Sequence, residues 1–410
     1  MKQPLKNTRN GIIVQIRSQI TFLALFFIFV GSCKPSDQPI SEKKDHPAGT
    51  FTPNPKKSEM QEVKTLATGN TAPDFNLPDI SGKFYTLDDF SDAPVLVVIF
   101  TCNHCPTAQA YEDRMIAFAK DYKPKNISVV AIMPNSAFGL LPEECGYSDL
   151  DDTYESMIIR AKYKAFNFPY LYDGDDQLVS VKYGPTATPH AFVFDSKRRL
   201  AYSGRLDASE KPGTANADDL RKAVDAVLEG KPVEEPVNKA FGCSIKWSWK
   251  SEWADKVNKE WAAKTVTLEK TGNKGIASIL RNDSQKLRLI NVWATWCAPC
   301  IIEYPELLNL QRMYGNRAFE FISISADKPE KYDETLSFLK QKQSAIANYI
   351  VENPDKYALI EAIDPEWNGA LPYSMLVEPG GKIVYKCQGA VDLLALKKKI
   401  VEHPLLGRYY

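Results

Sequence analysis

Two pairs of cysteines, each with two residues between them, sit at the same kind of junction: an apolar run that reads as a strand, a short turn, then a helical pattern. The first is Cys102-Asn103-His104-Cys105 after residues 95–100, and the second is Cys297-Ala298-Pro299-Cys300 after residues 287–292. At a helix N-terminus two cysteines so spaced close a disulfide without moving backbone, and the unpaired N–H groups stabilise a thiolate. Cys297 therefore reads as the attacking thiol and Cys300 as the resolving one, with Cys102 and Cys105 in the same roles in the first pair. Pro299 in the first helical turn forfeits no hydrogen bond, and Trp293 and Trp296 flank the turn as an apolar rim for a peptide disulfide. Zinc is the competing use of such a pair. It needs two further ligands, and none of the four histidines forms a second pair beside the motif. No metal and no cofactor are expected, the redox-active disulfides being the working groups.

The same order of elements follows each motif. After Cys105 come a strand (127–133), a helix (154–166), Thr188-Pro189, paired strands (191–194 and 200–203) and a closing helix (217–228). After Cys300 come a strand (319–324), a helix (332–340), Leu371-Pro372, two strands hinged at Pro379-Gly380-Gly381 and a final helix (393–403). This predicts an α/β protein with two tandem domains, each a central mixed sheet flanked by helices. The chain of 410 residues is long enough for both cores. We place the first domain at 68–246, a helical spacer at 247–263 and the second domain at 264–410. In the spacer Trp249, Trp253, Val257 and Trp261 recur every four residues, as on one packed helix face.

The N-terminus is a separate matter. Lys2, Lys6, Arg9 and Arg17 precede an apolar stretch (20–30) that ends in Val30-Gly31-Ser32-Cys33. That core is short of the roughly 20 residues needed to span a bilayer, so 1–32 reads as a cleaved signal. Val-Gly-Ser-Cys resembles a bacterial lipobox, which makes Cys33 a lipidated residue, and 33–67 reads as a flexible tether. Export places the protein in the bacterial cell envelope, lipid-anchored and facing the periplasm, where disulfides persist. With 51 basic and 51 acidic residues there is no net field to draw in nucleic acid.

The second half resembles the thioredoxin superfamily, and within it the TlpA/ResA-like oxidoreductases of bacterial envelopes. The resemblance makes Pro372 the cis-proline beside the active-site disulfide and Glu303 a modulator of cysteine acidity. Asn291 stands where thioredoxin has a buried aspartate, leaving Glu303 as the proton-transfer candidate. The first half, through Ala72-Pro73-Asp74-Phe75, Thr101 to Pro106 and the tail Gly242-Cys243-Ser244-Ile245-Lys246-Trp247, resembles the redoxin (AhpC/TSA-like) branch, a peroxiredoxin-like subgroup with a CNHCP motif. Pro189 is its expected cis-proline. The peroxide-binding pattern Pro-x-x-x-Thr-x-x-Cys is broken, with Val98 and Cys102 at its proline and threonine. Arg205 reads as a surface or salt-bridged residue. His104 resembles the histidine of strongly oxidising DsbA-like motifs, and a charged imidazole there would favour the dithiol.

Of the remaining cysteines, Cys387 reads as a buried small hydrophobe, and Cys243 as either a resolving thiol carried on a mobile tail or the structural partner of Cys145. The function expected is thiol-disulfide exchange with exported protein thiols, or with a membrane electron donor. A thiol peroxidase in the first domain, reduced by the second, and a non-catalytic binder or chaperone are the alternatives.

Overall fold

The computed structural model describes residues 51–353 and 355–408. Cys33 and the signal segment lie outside the described residues. Domain one begins with a hairpin of β1 (Asn76–Pro78) and β2 (Phe84–Thr86). There follow β3 (Leu96–Phe100), α1 (Pro106–Tyr122), β4 (Ser128–Met133), α2 (Tyr154–Lys164), β5 (Tyr170–Tyr172), α3 (Leu178–Tyr183), β6 (His190–Phe194), β7 (Leu200–Gly204) and α4 (Asp218–Leu228). Its sheet runs β5-β4-β3-β6-β7, with β3 parallel to β4 and antiparallel to β6. Every residue of β3 is buried, which is why its sequence is a continuous apolar run: both faces of a central strand are covered.

Helix α5 (Ser251–Ala262) leads to domain two. Ala254, Val257 and Trp261 are turned inward to differing degrees, whereas Trp253 is half exposed and lies off the packed face expected for it. Domain two contains β8 (Glu269–Thr271), α6 (Asn273–Arg281), β9 (Leu287–Trp293), α7 (Ala298–Tyr314), β10 (Phe319–Ser325), α8 (Tyr332–Gln341), β11 (Ala347–Val351), α9 (Lys356–Ile363), β12 (Tyr373–Val377), β13 (Ile383–Gln388) and α10 (Leu393–Val401). The sheet order β13-β12-β9-β10-β11-β8 repeats that of domain one with one extra edge strand.

Two features correct the sequence reading. Residues 51–67 are not a free tether: Phe51 packs edge-on against Tyr154 at 5.0 Å, Lys56 N–H donates to the Asp175 carbonyl at 2.7 Å, and Leu66 N–H to that of Tyr183 at 3.0 Å. A few apolar anchors and backbone bonds hold a polar segment to the first domain. The second feature is the loop between β4 and α2, which docks on α7 of domain two. Tyr314 Oη donates to Ser148 O at 2.8 Å, Arg312 pairs with Glu143 at 2.8 Å, and a Cβ on Gly146 would lie 2.9 Å from Met313 O. Cys145, on the same loop, is buried in the core of domain two. Among the described residues no helix is long and apolar enough to cross a membrane.

Candidate active sites

Both expected prolines, Pro189 and Pro372, follow cis peptide bonds. The residue after each one faces the central strand: Tyr373 is opposite Val292, and His190 is opposite Phe100. Counting five residues on from Val292 reaches Cys297, and five on from Phe100 reaches Cys105. Each of these cysteines is the N-cap of the following helix. Two residues earlier, Thr295 N–H donates to Asp327 at 2.9 Å and Asn103 N–H to Asp152 at 2.8 Å. Strand register, helix start and the buried carboxylate all agree. Cys105 is the counterpart of Cys297, and the two Cys-x-x-Cys motifs are out of step by three residues. Cys102 matches Ala294, and Cys300 matches Ala108.

By position, then, the counterpart of Cys297 is Cys105 and not Cys102, the residue expected in that place. The local cause is Pro106, which occupies the first helical position and so sets the helix start directly after Cys105. That proline was legible in the sequence as a cap signal.

Electrostatics point the same way. Burial opposes charge on Cys105, yet hydrogen bonds from the Cys102 and Cys243 thiols, the His104 charge and the Ala108 N–H at 3.4 Å together hold it well below the ordinary thiol range. Burial pushes Cys102 well above that range, with the hydrogen bond to Cys105 adding to it. Its sulfur lies 3.1 Å from Thr188 Oγ1 and 3.5 Å from His104 Nδ1. His104 is itself buried and bonds Asp152 Oδ2 at 2.5 Å. Although burial opposes the imidazolium, the Asp152 charge raises the His104 pKa, and Asp152 is held low in return. Asp152 also accepts from Asn135 Nδ2 at 2.7 Å. No local signal pointed to Asp152 or Asn135, which reach the site only through folding.

Cys102, His104 and Asp152 also offer three potential ligand atoms within 4.8 Å of one another, a cluster the sequence argument did not foresee. Two ligands on a tetrahedral ion with bonds of about 2 Å stand roughly 3.3 Å apart. The 2.5 Å imidazole–carboxylate contact is a hydrogen-bonded pair closer than that spacing.

In domain two Cys297 and Cys300 are joined in a disulfide at the start of α7. Trp296 is 71% exposed beside it, but Trp293 is buried against Tyr304 and so forms core, not rim. Glu303, nearly buried, accepts from Val391 N–H at 3.1 Å and from Asn291 Nδ2 at 3.3 Å, and burial raises its pKa. Asn291, in the position expected for an aspartate, thus touches the residue proposed to replace it.

Cys387 is partly exposed on β13, not buried as expected. Cys145 lies in the core of domain two while Cys243 lies beside Cys105, so they do not form the structural pair considered above. Arg205 is salt-bridged to Asp219 at 2.7 Å.

Two mixed sheets of like order, each with a cis-proline followed by a residue paired to the strand that leads to a helix-capping cysteine, define the class: thioredoxin-fold domains. The AhpC/TSA family matches residues 68–203, and the Redoxin family matches residues 258–397. The chain belongs to the thioredoxin superfamily, with two of its domains in tandem. It is similar to the thiol:disulfide interchange protein HelX of Rhodobacter capsulatus, 29% identical over 30% of this chain and 62% of the relative. It is also similar to the thioredoxin-like protein YneN of Bacillus subtilis, 34% identical over 25% of this chain and 62% of the relative. The chain thus spans less than two thirds of either. Among solved structures, hypothetical protein SMc02350 from Sinorhizobium meliloti 1021 is 38% identical, with a TM-score of 0.40, over 45% of this chain and 97% of that one.

Proposed function

We propose that the protein is a thiol-disulfide oxidoreductase with two exchange sites, acting on protein thiols and disulfides in the bacterial envelope. The observation that carries this reading is the disulfide between Cys297 and Cys300 at the N-terminus of α7, directly after the exposed Trp296, in a domain that also carries cis-Pro372. A partner thiolate attacks the pair at Cys297; in the reverse direction the Cys297 thiolate, favoured by the helix N-terminus, attacks a partner disulfide and Cys300 displaces the product. Glu303, whose carboxyl burial pushes above the ordinary range, is the group to which this reading gives the proton transfer at that step. Electrons reside on cysteine pairs throughout. Names of relatives such as HelX support the reaction class, and the charged, apolar, Val-Gly-Ser-Cys order of the N-terminus supports export and lipid attachment at Cys33.

Insulin reduction and hydrogen peroxide consumption by the full chain test the reading. Exchange without fast peroxide turnover supports it. Rapid peroxide reduction lost in Cys105→Ala would make the first domain a peroxidase, and neither activity would leave a binder. Mass spectrometry of the membrane fraction tests the anchor, which fails if Cys33 is unmodified.

A further inference from the structure

The tail after domain one is laid against its cis-proline segment through a single antiparallel bridge. Thr188 N–H donates to Cys243 O at 2.9 Å, and the two residues form an antiparallel bridge. Gly242 has φ +137°, and a Cβ there would lie 2.0 Å from Thr188 O, so only glycine permits this approach. Beyond it, Lys246 N–H donates to Asn135 Oδ1 at 2.8 Å, and Ser248 N–H to Gln177 Oε1 at 2.8 Å. Backbone pairing of this kind is how an extended peptide joins a protein edge, with the side chains directed to specific sites. Among the described residues no segment bridges Leu371, the matching position in domain two.

The side chain delivered here is a thiol. Cys243 N–H donates to Cys105 Sγ at 3.3 Å, which sets the two cysteines side by side. Cys105 and Cys102 are buried, whereas Cys243 is partly exposed. An outside thiol meets Cys243 first and cannot touch Cys105 while the tail is docked. The two sulfurs also differ in acidity: bonding to Cys105, then burial, raises Cys243 well above the thiol range, while Cys105 is held low.

We propose that Cys105 and Cys243 form the exchanging disulfide of domain one, Cys243 being the sulfur that the outside thiol attacks and Cys105 the leaving thiolate. This rests on the two-site exchange reading and names the working pair of the first site. The step balances. A thiolate RS⁻ attacks Cys243 Sγ, the Cys105–Cys243 bond breaks, and R–S–S–Cys243 forms while the electron pair remains on Cys105. A second thiol RSH, losing its proton as it reacts, attacks the R sulfur and releases RSSR, and Cys243 takes up that proton. Oxidation runs through the same bonds in reverse with a low-molecular-mass disulfide RSSR as oxidant, the first Cys243 proton being accepted by Cys105 and leaving with RSH. A less acidic sulfur attacked and a more acidic one expelled is the fast direction of such exchange. The chain Lys246–Asn135–Asp152–His104 ties tail docking to the charge beside Cys105.

The test uses the full chain carrying Cys297→Ser and Cys300→Ser, reduced, then mixed with glutathione disulfide, acid-quenched and mapped by mass spectrometry. The expected first adduct is glutathione on Cys243, followed by a Cys105–Cys243 disulfide that also forms in Cys102→Ser. Cys243→Ser should slow oxidation of domain one at least tenfold. Gly242→Ala, which keeps all three sulfurs but expels the tail, should move the first adduct to Cys105. A first disulfide between Cys102 and Cys105, at a rate unchanged in Cys243→Ser, overturns this pairing and leaves the two-site reading standing. An adduct still on Cys243 at the original rate in Gly242→Ala also overturns it. No disulfide in domain one, while Cys297–Cys300 of the unmodified chain exchanges with the same reagent, defeats both the pairing and the two-site reading.

Discussion

Cys105 and Cys297 hold the same place in their two domains: each caps a helix five residues beyond the strand residue that faces the residue after a cis-proline. The partner cysteine lies on opposite sides of that place, three residues before it in domain one and three after it in domain two. Cys300 sits in the first turn of α7, whereas Cys102 lies at the strand end under Thr188. Two similar motifs therefore put their second sulfur in different environments.

Asp152→Asn should raise the Cys105 pKa. With the imidazolium no longer held, iodoacetamide labelling of Cys105 near pH 6, compared in a Gly242→Ala background that frees the tail, should fall about tenfold for one unit of pKa, while Cys297 in the reduced protein labels as before. Breaking a buried ion pair by removing one partner costs roughly 3–5 kcal/mol. The sign with pH follows from both groups. The Asp152 contribution is present above 3.8 and is lost as pH falls through its depressed folded pKa. The His104 contribution is present below 6.5 and is lost as pH rises through its raised folded pKa. The stability difference between the wild type and Asp152→Asn should thus be greatest between these values in urea melts. A difference that grows above pH 8 would contradict the pairing.

Cys300→Ser should accumulate mixed disulfides with partner proteins through Cys297, since the resolving thiol is gone. Non-reducing gels of the envelope fraction, with the bands identified by mass spectrometry, check this. Trapping that persists after Cys297 is also replaced would rule out Cys297 as the attacking residue.

Glu303→Gln should slow release of those mixed disulfides on the order of a hundredfold, the low end of what a positioned acid or base supplies. Alkylation of Cys297 should be little changed. Stopped-flow separation of the two steps reads this out, and equal effects on both would make Glu303 a structural residue.

The first domain should have the higher reduction potential, because a low thiol pKa favours the reduced form; each 30 mV corresponds to about 1.4 kcal/mol. Full-length chains retaining one site at a time, equilibrated with glutathione, give both values. Direct transfer within one chain should be slow: domain one docks at residues 312–314 of α7 while Cys297 stands at its other end, about 24 Å away at 1.5 Å per residue. Exchange between chains should exceed it, seen as a rate that rises with protein concentration.

Apolar runs, helix periodicity and the order of breakers were enough to read the central strands of both sheets and the helices that follow each motif, because each depends on residues close in sequence; the cis-prolines came from the family resemblance, and β5, β8, β11, α3, α6 and α9 were not read. Pro106 even carried the helix start that decides the capping cysteine, although the Cys-x-x-Cys pattern drew the reading to Cys102. Packing decided the rest. Asp152 meets His104 across 48 positions, and Cys243 meets Cys105 across 138. The acidity of a buried thiol is set by neighbours that only the folded chain brings within hydrogen-bonding reach, and burial removes the water that would otherwise screen them. The sequence by itself thus determined two sulfur sites on two like scaffolds; which sulfur carries the charge, and which one meets the outside, was decided by tertiary contacts.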